Sequence, residues 1–364
     1  MAKGTKEPVF VAVDGGSGNI ALRFTDDSGK EVIRISKSLV HPGLLQQGLQ
    51  ESLSTWRTDN GSIFSVADDA TGIEMIDTCD PSYQISDAHR VLVLDALVKA
   101  GLGGRDVVIA ETLPADQYYG AKGVNHERIA EKKASLMRPI TSYTGQVVPP
   151  RVLAVVVYPE AVTAFVSASE MDDGTTRPEF DGVQRCVIVD LGRFTDDVAI
   201  VSADLDVQVA RTSENGIQVM VNRLHQLLQE KQDELGLKEA KEISLSALDD
   251  FIERGYIGSQ AQARAHLRKD IKALVIQAAE ELAHYVASDV RKVIRNASNI
   301  DMVLFVGGGA NWLGGKLSYV PNYAEQWHDY VYIPEEPQFA VVNGVYKLLM
   351  GNKARILAEL NAEA

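Results

Sequence analysis

Two segments, one in each half of the chain, carry the same punctuation, and this repeat constrains the fold more than any other feature. The first reads Val9-Phe-Val-Ala-Val-Asp14-Gly15-Gly16-Ser17-Gly18-Asn19-Ile-Ala-Leu-Arg-Phe24. The second reads Cys186-Val-Ile-Val-Asp190-Leu-Gly192-Arg193-Phe194-Thr195-Asp196-Asp-Val-Ala-Ile-Val201. Each opens with a short β-branched run, typical of a buried strand. Each then places an aspartate at the strand end, turns through glycine, and resumes with a second apolar run. That is a strand–turn–strand hairpin. One is within reach of chance, but two with the same Asp-x-Gly step point to duplication. A chain of 364 residues can bury two cores, so the repeat predicts two related halves.

Helical patterns lie between the hairpins. Ser86 is placed to cap a helix through Val91, Leu92 and Val98 that Gly101 ends. Asn125 to Met137 reads as a charged helix stopped by Pro139. Apolar residues recur at helical spacing over Ile217–Leu228 and Ile271–Val293. A strand over Met302–Val306 runs into Gly307-Gly308-Gly309-Ala310, and a last helix is expected from about Gln338 to Met350, ended by Gly351. Asn352–Ala364 reads as a separate short helical tail. Strands and helices mix throughout, which gives an α/β class. Glu31–Tyr83, rich in polar turns, reads as a small subdomain inserted into the first half, and Asp172–Gln184 as an exposed linker before the second hairpin.

Composition excludes several function classes. The formal net charge of −14 repels phosphate backbones, which argues against direct nucleic-acid binding. Cys79 and Cys186 offer neither a disulfide framework nor metal-ligand spacing, as suits a reducing compartment. The apolar start Val9–Val13 is too short for a secretory signal, and the richest apolar stretch, Val152–Val166, is broken by Glu160. The expectation is a cytoplasmic protein with no membrane partner.

The motifs suggest phosphate chemistry. A tight turn of small residues leaves backbone N–H groups for phosphate oxygens, and Asp14–Asn19 fits, with side-chain donors at Ser17 and Asn19. Asp14 would then face a Mg²⁺ and its waters. The same residues also suit an ordinary Gly-rich hairpin turn, and Asp190 also suits a plain turn cap. Three glycines in a row after a strand allow close backbone approach, with a following helix N-terminus at hand. No G-x-G-x-x-G and no G-x-x-x-x-G-K-[ST] occurs, which argues against dinucleotide-binding and P-loop folds.

Taken together, the two Asp-turn hairpins and the strand–Gly-Gly-Gly loop resemble the signature of the actin/chaperone/sugar-kinase superfamily. Glu111-Thr-Leu-Pro114-Ala-Asp-Gln-Tyr-Tyr119, Ile129-Ala-Glu-Lys-Lys-Ala134, Tyr158-Pro159-Glu160-Ala161 and Val342-Asn343-Gly344-Val345-Tyr346 resemble, in order, elements of the plasmid-segregation actins, the ParM/StbA family. The resemblance implies an actin-like fold of two RNase-H-like halves around a nucleotide cleft, each with a smaller inserted subdomain. It places domain I at 1–184 with an insert at about 31–85, domain II at 185–338 with a helical insert at about 213–270, and C-terminal helices at 339–364 returning to domain I. It implies ATP with Mg²⁺ (GTP is also possible), held by Asp14, Gly15, Gly16, Ser17, Gly18 and Asn19 from one side and by Asp190, Gly192 and Thr195 from the other. Gly307, Gly308, Gly309 and Ala310 would pass the adenosine. Asp14 and Asp190 would meet the metal through water. Glu160 would orient the attacking water, assisted by Asp190; a helix-start carboxylate after Pro159 is the alternative for Glu160.

The implied activity is ATP hydrolysis coupled to filament growth. The implied partners are further copies of the chain and a DNA-binding adaptor on a plasmid centromere. A small-molecule kinase of the same superfamily and a nucleotide-dependent scaffold are the competing readings. The first would need an acceptor pocket, and the second often carries an amphipathic membrane tail. The sequence departs from the family at Arg193-Phe194, where a Gly-Thr stretch is usual. Arg193 either reaches the γ-phosphate or points to a neighbouring subunit. Asp196 adds a charge where the family has an apolar residue. Arg264, Arg268, Lys269 and Lys272 form a basic stretch that reads as a solvated face or a contact surface.

Overall fold

A computed structural model describes residues 7–47, 50–51, 54–68, 74–294, 300–314 and 328–363. The chain divides into two compact units, one of Met1–Val183, Val201–Ala210 and Phe339–Ala364, the other of Gln184–Ile200 and Arg211–Gln338.

In the first unit the Val9 run forms β1 (Val9–Gly15), followed by β2 (Asn19–Thr25) and β3 (Glu31–Lys37), each antiparallel to the one before. Two later strands, β4 (Asp106–Leu113) and β5 (Arg151–Pro159), add in parallel on the other side of β1, so the sheet order is β5-β4-β1-β2-β3. The central strands β1 and β4 are almost wholly buried, as strands covered on both faces must be. Edge strand β3 is mostly exposed.

Ser86 caps α1 (Asp87–Leu97) as expected, its Oγ accepting the His89 N–H at 3.2 Å. Removing such a cap typically costs about 1 kcal/mol. Asn125 does the same for α2 (His126–Met137) through the Arg128 N–H. Helix α3 (Glu160–Ser169) starts directly from β5, with no side-chain cap. Val11, Val13, Ile20, Leu22, Leu92 and Ile109 anchor the core.

Two expectations need correction in this unit. Glu31–Lys37, the first residues of the expected insert, is the third strand of the main sheet. The separate small sheet begins at Val40–Pro42 and is completed by Thr55–Thr58, Ile63–Val66 and Ile140–Ser142. The residues between 31 and 85 that fall at 48–49, 52–53 and 69–73 lie outside the described residues. The last helix runs unbroken over Ala340–Glu363, so Gly351 does not end it. A helical glycine costs about 1 kcal/mol against alanine, and contacts beyond it offset that: Ile356 is buried, Asn352 Nδ2 donates to Tyr158 Oη at 3.3 Å, and Lys353 pairs with Glu7 at 2.8 Å.

A second sheet repeats the plan. Its strands β6 (Arg185–Leu191), β7 (Asp196–Ser202) and β8 (Val207–Ser213) lie in succession, and β9 (Met302–Val306) and β10 (Val331–Tyr332) extend the sheet in parallel. The order β8-β7-β6-β9-β10 matches the first sheet position for position. Helices α4 (Ile217–Glu230) and α6 (Lys272–Val293) bury Met220, Val221, Leu224, Val275, Leu282 and Val286 in one core, and α5 (Leu245–Arg254) joins it through Leu248 and Ile252.

Candidate functional site

In the first unit Asp14 is the penultimate residue of β1, and Gly16–Gly18 make the turn into β2, which Asn19 begins. The turn is held by its carbonyls. Gly15 O accepts from Gln84 Nε2 at 3.3 Å, Gly16 O from Ser38 Oγ at 2.7 Å, Ser17 O from Thr78 Oγ1 at 2.8 Å and Gly18 O from the Ser38 N–H at 3.0 Å. Among the described residues, the Gly16, Ser17 and Gly18 N–H groups make no such bonds. A turn fixed by its acceptors with donors left over is suited to an anion.

Beneath this turn lies a polar cluster that sequence reasoning missed. Glu111 of β4, Lys132 of α2 and His89 of α1 are all essentially fully buried. Glu111 pairs with the Lys132 ammonium and with His89 Nε2, the latter at 3.0 Å. Lys132 also donates to Gln84 Oε1 and to Thr112 O, the latter at 2.6 Å. A Cβ at Gly15 would lie 2.0 Å from Glu111 Oε1, so the turn rests directly on that carboxylate. The Thr112 hydroxyl reaches Glu160 Oε1 at 3.3 Å. Asp14 and Glu160 are therefore brought to the same cluster.

Charge follows the same layout. Burial first, and then the negative Glu111, push Asp14 up to about 7, against an opposing pull from Lys132. Burial lowers the Lys132 pKa, opposed by Glu111 and then by Glu160 and Asp14. Burial, and next the Lys132 charge, hold His89 below the usual histidine range, so its imidazole is neutral and donates through Nε2. The sequence did carry a signal. Glu111 interrupts an otherwise apolar central strand, and a charge there must be paired.

In the second unit Asp190 sits at the matching position near the end of β6, and the turn closes with a Gly192 N–H bond to Thr195 O at 2.9 Å. Its carbonyls accept from the start of α4: Ile217 N–H to Gly192 O at 3.0 Å, Gln218 N–H to Arg193 O at 2.8 Å and Gly216 N–H to Phe194 O at 3.1 Å. The Thr195 hydroxyl bonds Asp197 at 2.9 Å. The triple-glycine loop arrives beside Asp190. Gly307 has φ +81° and a Cβ there would fall 2.5 Å from Asp190 Oδ1, while the Gly309 N–H donates to Leu191 O at 3.0 Å. Gly308 lies between them, and Ala310 opens a four-residue helix, Ala310–Leu313. Asp190, Gly192, Thr195 and Gly307–Ala310 thus assemble within this unit.

The Arg193 guanidinium, whose direction the sequence left open, binds Asp249 of α5 at 2.6 Å, within its own unit. Asp196 is fully buried, and neither carboxylate oxygen finds a hydrogen bond among the described residues. Burial, then Asp197, Asp289 and Asp190, push it far above the usual carboxylate range, with Lys292 opposing. In the basic stretch, Arg268 folds back on Ser259 O at 2.9 Å and over the Tyr256 ring, a local tie.

Two sheets of one order, each led by an Asp-ended hairpin, define an actin-like fold. Comparison with known proteins agrees. Residues 9–171 match the family described as plasmid segregation protein ParM, N-terminal, and residues 180–348 that described as plasmid segregation protein ParM, C-terminal. The chain belongs to the ParM/StbA family of plasmid-segregation actin homologues. Among solved structures it is similar to the actin-like protein Alp7A (15% identity, 98% of this chain and 100% of that one, TM-score 0.70). It is similar to an archaeal actin homolog, Ta0583, in complex with ADP (17%, 94% and 99%, 0.67) and to a 15-stranded ParM filament from Clostridium botulinum (15%, 95% and 99%, 0.61). At these identities the likeness is one of fold. No curated protein sequence matches the chain. Among the described residues no helix is long and apolar enough to cross a membrane.

Proposed function

We propose that this chain is an ATPase that polymerises with ATP bound, hydrolyses it to ADP and phosphate, and moves plasmid DNA through a centromere-bound adaptor protein. The observation that carries the reading is the Asp14 turn, whose carbonyls are anchored while its N–H groups remain for an anion. The Asp190 turn offers the second phosphate loop, with Gly192 and Thr195, and Gly307–Ala310 the adenosine contact. The family membership, a relative solved with ADP and a relative solved as a filament support it.

Mg²⁺ fits these residues. Asp14 is pushed up by burial and by Glu111 beside it, and Asp190 adds to the negative field that raises Asp196, so each strand end carries negative charge that a dication would offset. Mg²⁺ commonly keeps several waters and binds through one or two carboxylates and the substrate's phosphates. When bound, the metal neutralises phosphate charge. Asp14 and Asp190 would hold it, the Gly16–Gly18 N–H groups would take phosphate oxygens, and Glu160 would align the attacking water, which needs positioning more than covalent help.

Light scattering and phosphate release across a protein concentration series, with ATP, a non-hydrolysable analogue and ADP, test the proposal. A heterologous contact that does not close gives open-ended growth. Polymer is expected above a critical concentration with ATP and the analogue and little with ADP, and ATPase activity per molecule should rise with concentration. Constant specific activity with no sedimentable polymer in any nucleotide overturns the filament reading in favour of a kinase or a monomeric scaffold.

A further inference from the structure

We propose that Lys132 is a positioning residue, holding the Asp14 turn and Glu160 in one fixed arrangement through the buried cluster; the proposal rests on the ATPase reading above. An ammonium has three N–H donors and no acceptor. Lys132 donates to Gln84 Oε1 and Thr112 O, is ion-paired with Glu111, and its side chain is fully buried. All three partners lie inside the first unit, and burial keeps the ammonium from a phosphate in this arrangement. Its influence must pass through its neighbours.

Two relays lead outward. Gln84 turns its amide nitrogen to Gly15 O, which fixes the backbone directly after Asp14. Thr112 turns its hydroxyl to Glu160 Oε1. A third contact is steric. Glu111, oriented by Lys132 and by His89 Nε2, occupies the space that a side chain at position 15 would take. The turn is thus supported from below by a carboxylate that another strand supplies. One lysine therefore ties the end of β1, the end of β4 and the start of α3 together.

Stability alone does not explain this construction. A buried ion pair can often be exchanged for apolar residues of similar volume at no loss of stability. Apolar replacements would fill the space and lose both relays. A function in geometry predicts a different outcome from a function in stability, and the two separate experimentally.

The test uses Lys132→Met and the double variant Lys132→Met/Glu111→Gln. The single variant leaves Glu111 buried with only His89 for a partner, and it can fail to fold. The double variant removes both charges and keeps the volume, so it should fold with a melting temperature near wild type. Its kcat for ATP should fall by roughly 10²-fold, the scale of a misplaced reacting group, with KM changed less than about threefold. Without nucleotide, amide hydrogen exchange over Val13–Ile20 and Tyr158–Ala164 should quicken by about tenfold or more, while exchange across the second unit stays unchanged. A folded double variant with wild-type kcat and wild-type exchange in both segments overturns the proposal. A wild type that neither binds nor hydrolyses Mg-ATP would instead sink the ATPase reading, and the exchange measurement would still decide the role of Lys132.

Discussion

In the first unit Asp14 stands over a buried carboxylate, Glu111, whose charge is met by Lys132. In the second, Asp190 lies near Asp196, a buried carboxylate with no hydrogen-bond partner among the described residues and Lys292 as an opposing charge. The two hairpins share strand order, turn position and the aspartate itself. What differs is the layer underneath. The backbones agree while the buried charges differ: Glu111 beneath the first loop is paired with Lys132, and Asp196 beneath the second has no hydrogen bond among the described residues. On the proposed function, the first loop depends on its lysine for its geometry.

The largest expected effect tests which carboxylate does chemistry. Glu160→Ala should retain nucleotide and slow hydrolysis by about 10²-fold or more, the scale of losing a proton-transfer or positioning group. Wild-type turnover would reduce Glu160 to a helix-start carboxylate. Asp190→Ala should also lose activity, with weaker Mg²⁺ binding contributing.

Next in size is ligand linkage. Mg-ATP at 100 times its Kd should raise stability by about 2.7 kcal/mol, read as a higher melting temperature. Chelating the metal should remove most of the gain, because triphosphate would then face Asp14 and Asp190 unshielded. No shift with any Mg-nucleotide would break the comparison at its root.

The buried charge of Asp196 gives a pH signature. Its folded pKa is raised, so the folded state holds the proton after the unfolded chain has lost it. Below the unfolded carboxylate range the group is neutral in both states and costs nothing. As pH climbs from there toward the folded pKa, stability falls by about 1.4 kcal/mol per unit. Asp196→Asn should match wild type near pH 3 and melt progressively higher than it toward neutral pH. Parallel melting curves at every pH would show that Asp196 is paired after all.

The smallest effect belongs to Arg193. Its bond to Asp249 is partly solvent-exposed, so Arg193→Ala should cost under about 1 kcal/mol in denaturant unfolding. Affinities for ATP and ADP should hold equally. A selective loss of ATP affinity would mean that the guanidinium leaves Asp249 for the γ-phosphate.

The sequence alone determined the hairpins at Asp14 and Asp190, the helices capped by Ser86 and Asn125, and the strand entering Gly307. Local chemistry suffices for these: β-branched runs, capping side chains and glycine turns act over a few residues. It misassigned Glu31–Lys37 because Val32, Ile33 and Ile35 mark a strand without saying which sheet it joins, and it stopped the last helix at Gly351 because the opposing contacts come from Glu7 and Tyr158. Arg193 is the same case, since its partner lies on a helix far along the chain.

The cluster of His89, Glu111 and Lys132 is the clearest instance of what only tertiary structure decided. Read along the chain, Glu111 stands out only for following the apolar run Val107–Ala110, and His89 and Lys132 do not stand out at all. They acquire a joint role because β4 runs beside β1 while α1 and α2 bring His89 and Lys132 to it. Burial raises the electrostatic stakes of every such contact, and burial is a property of the packed unit. The sequence specifies which groups are available; the fold decides which of them lose water and must therefore find one another.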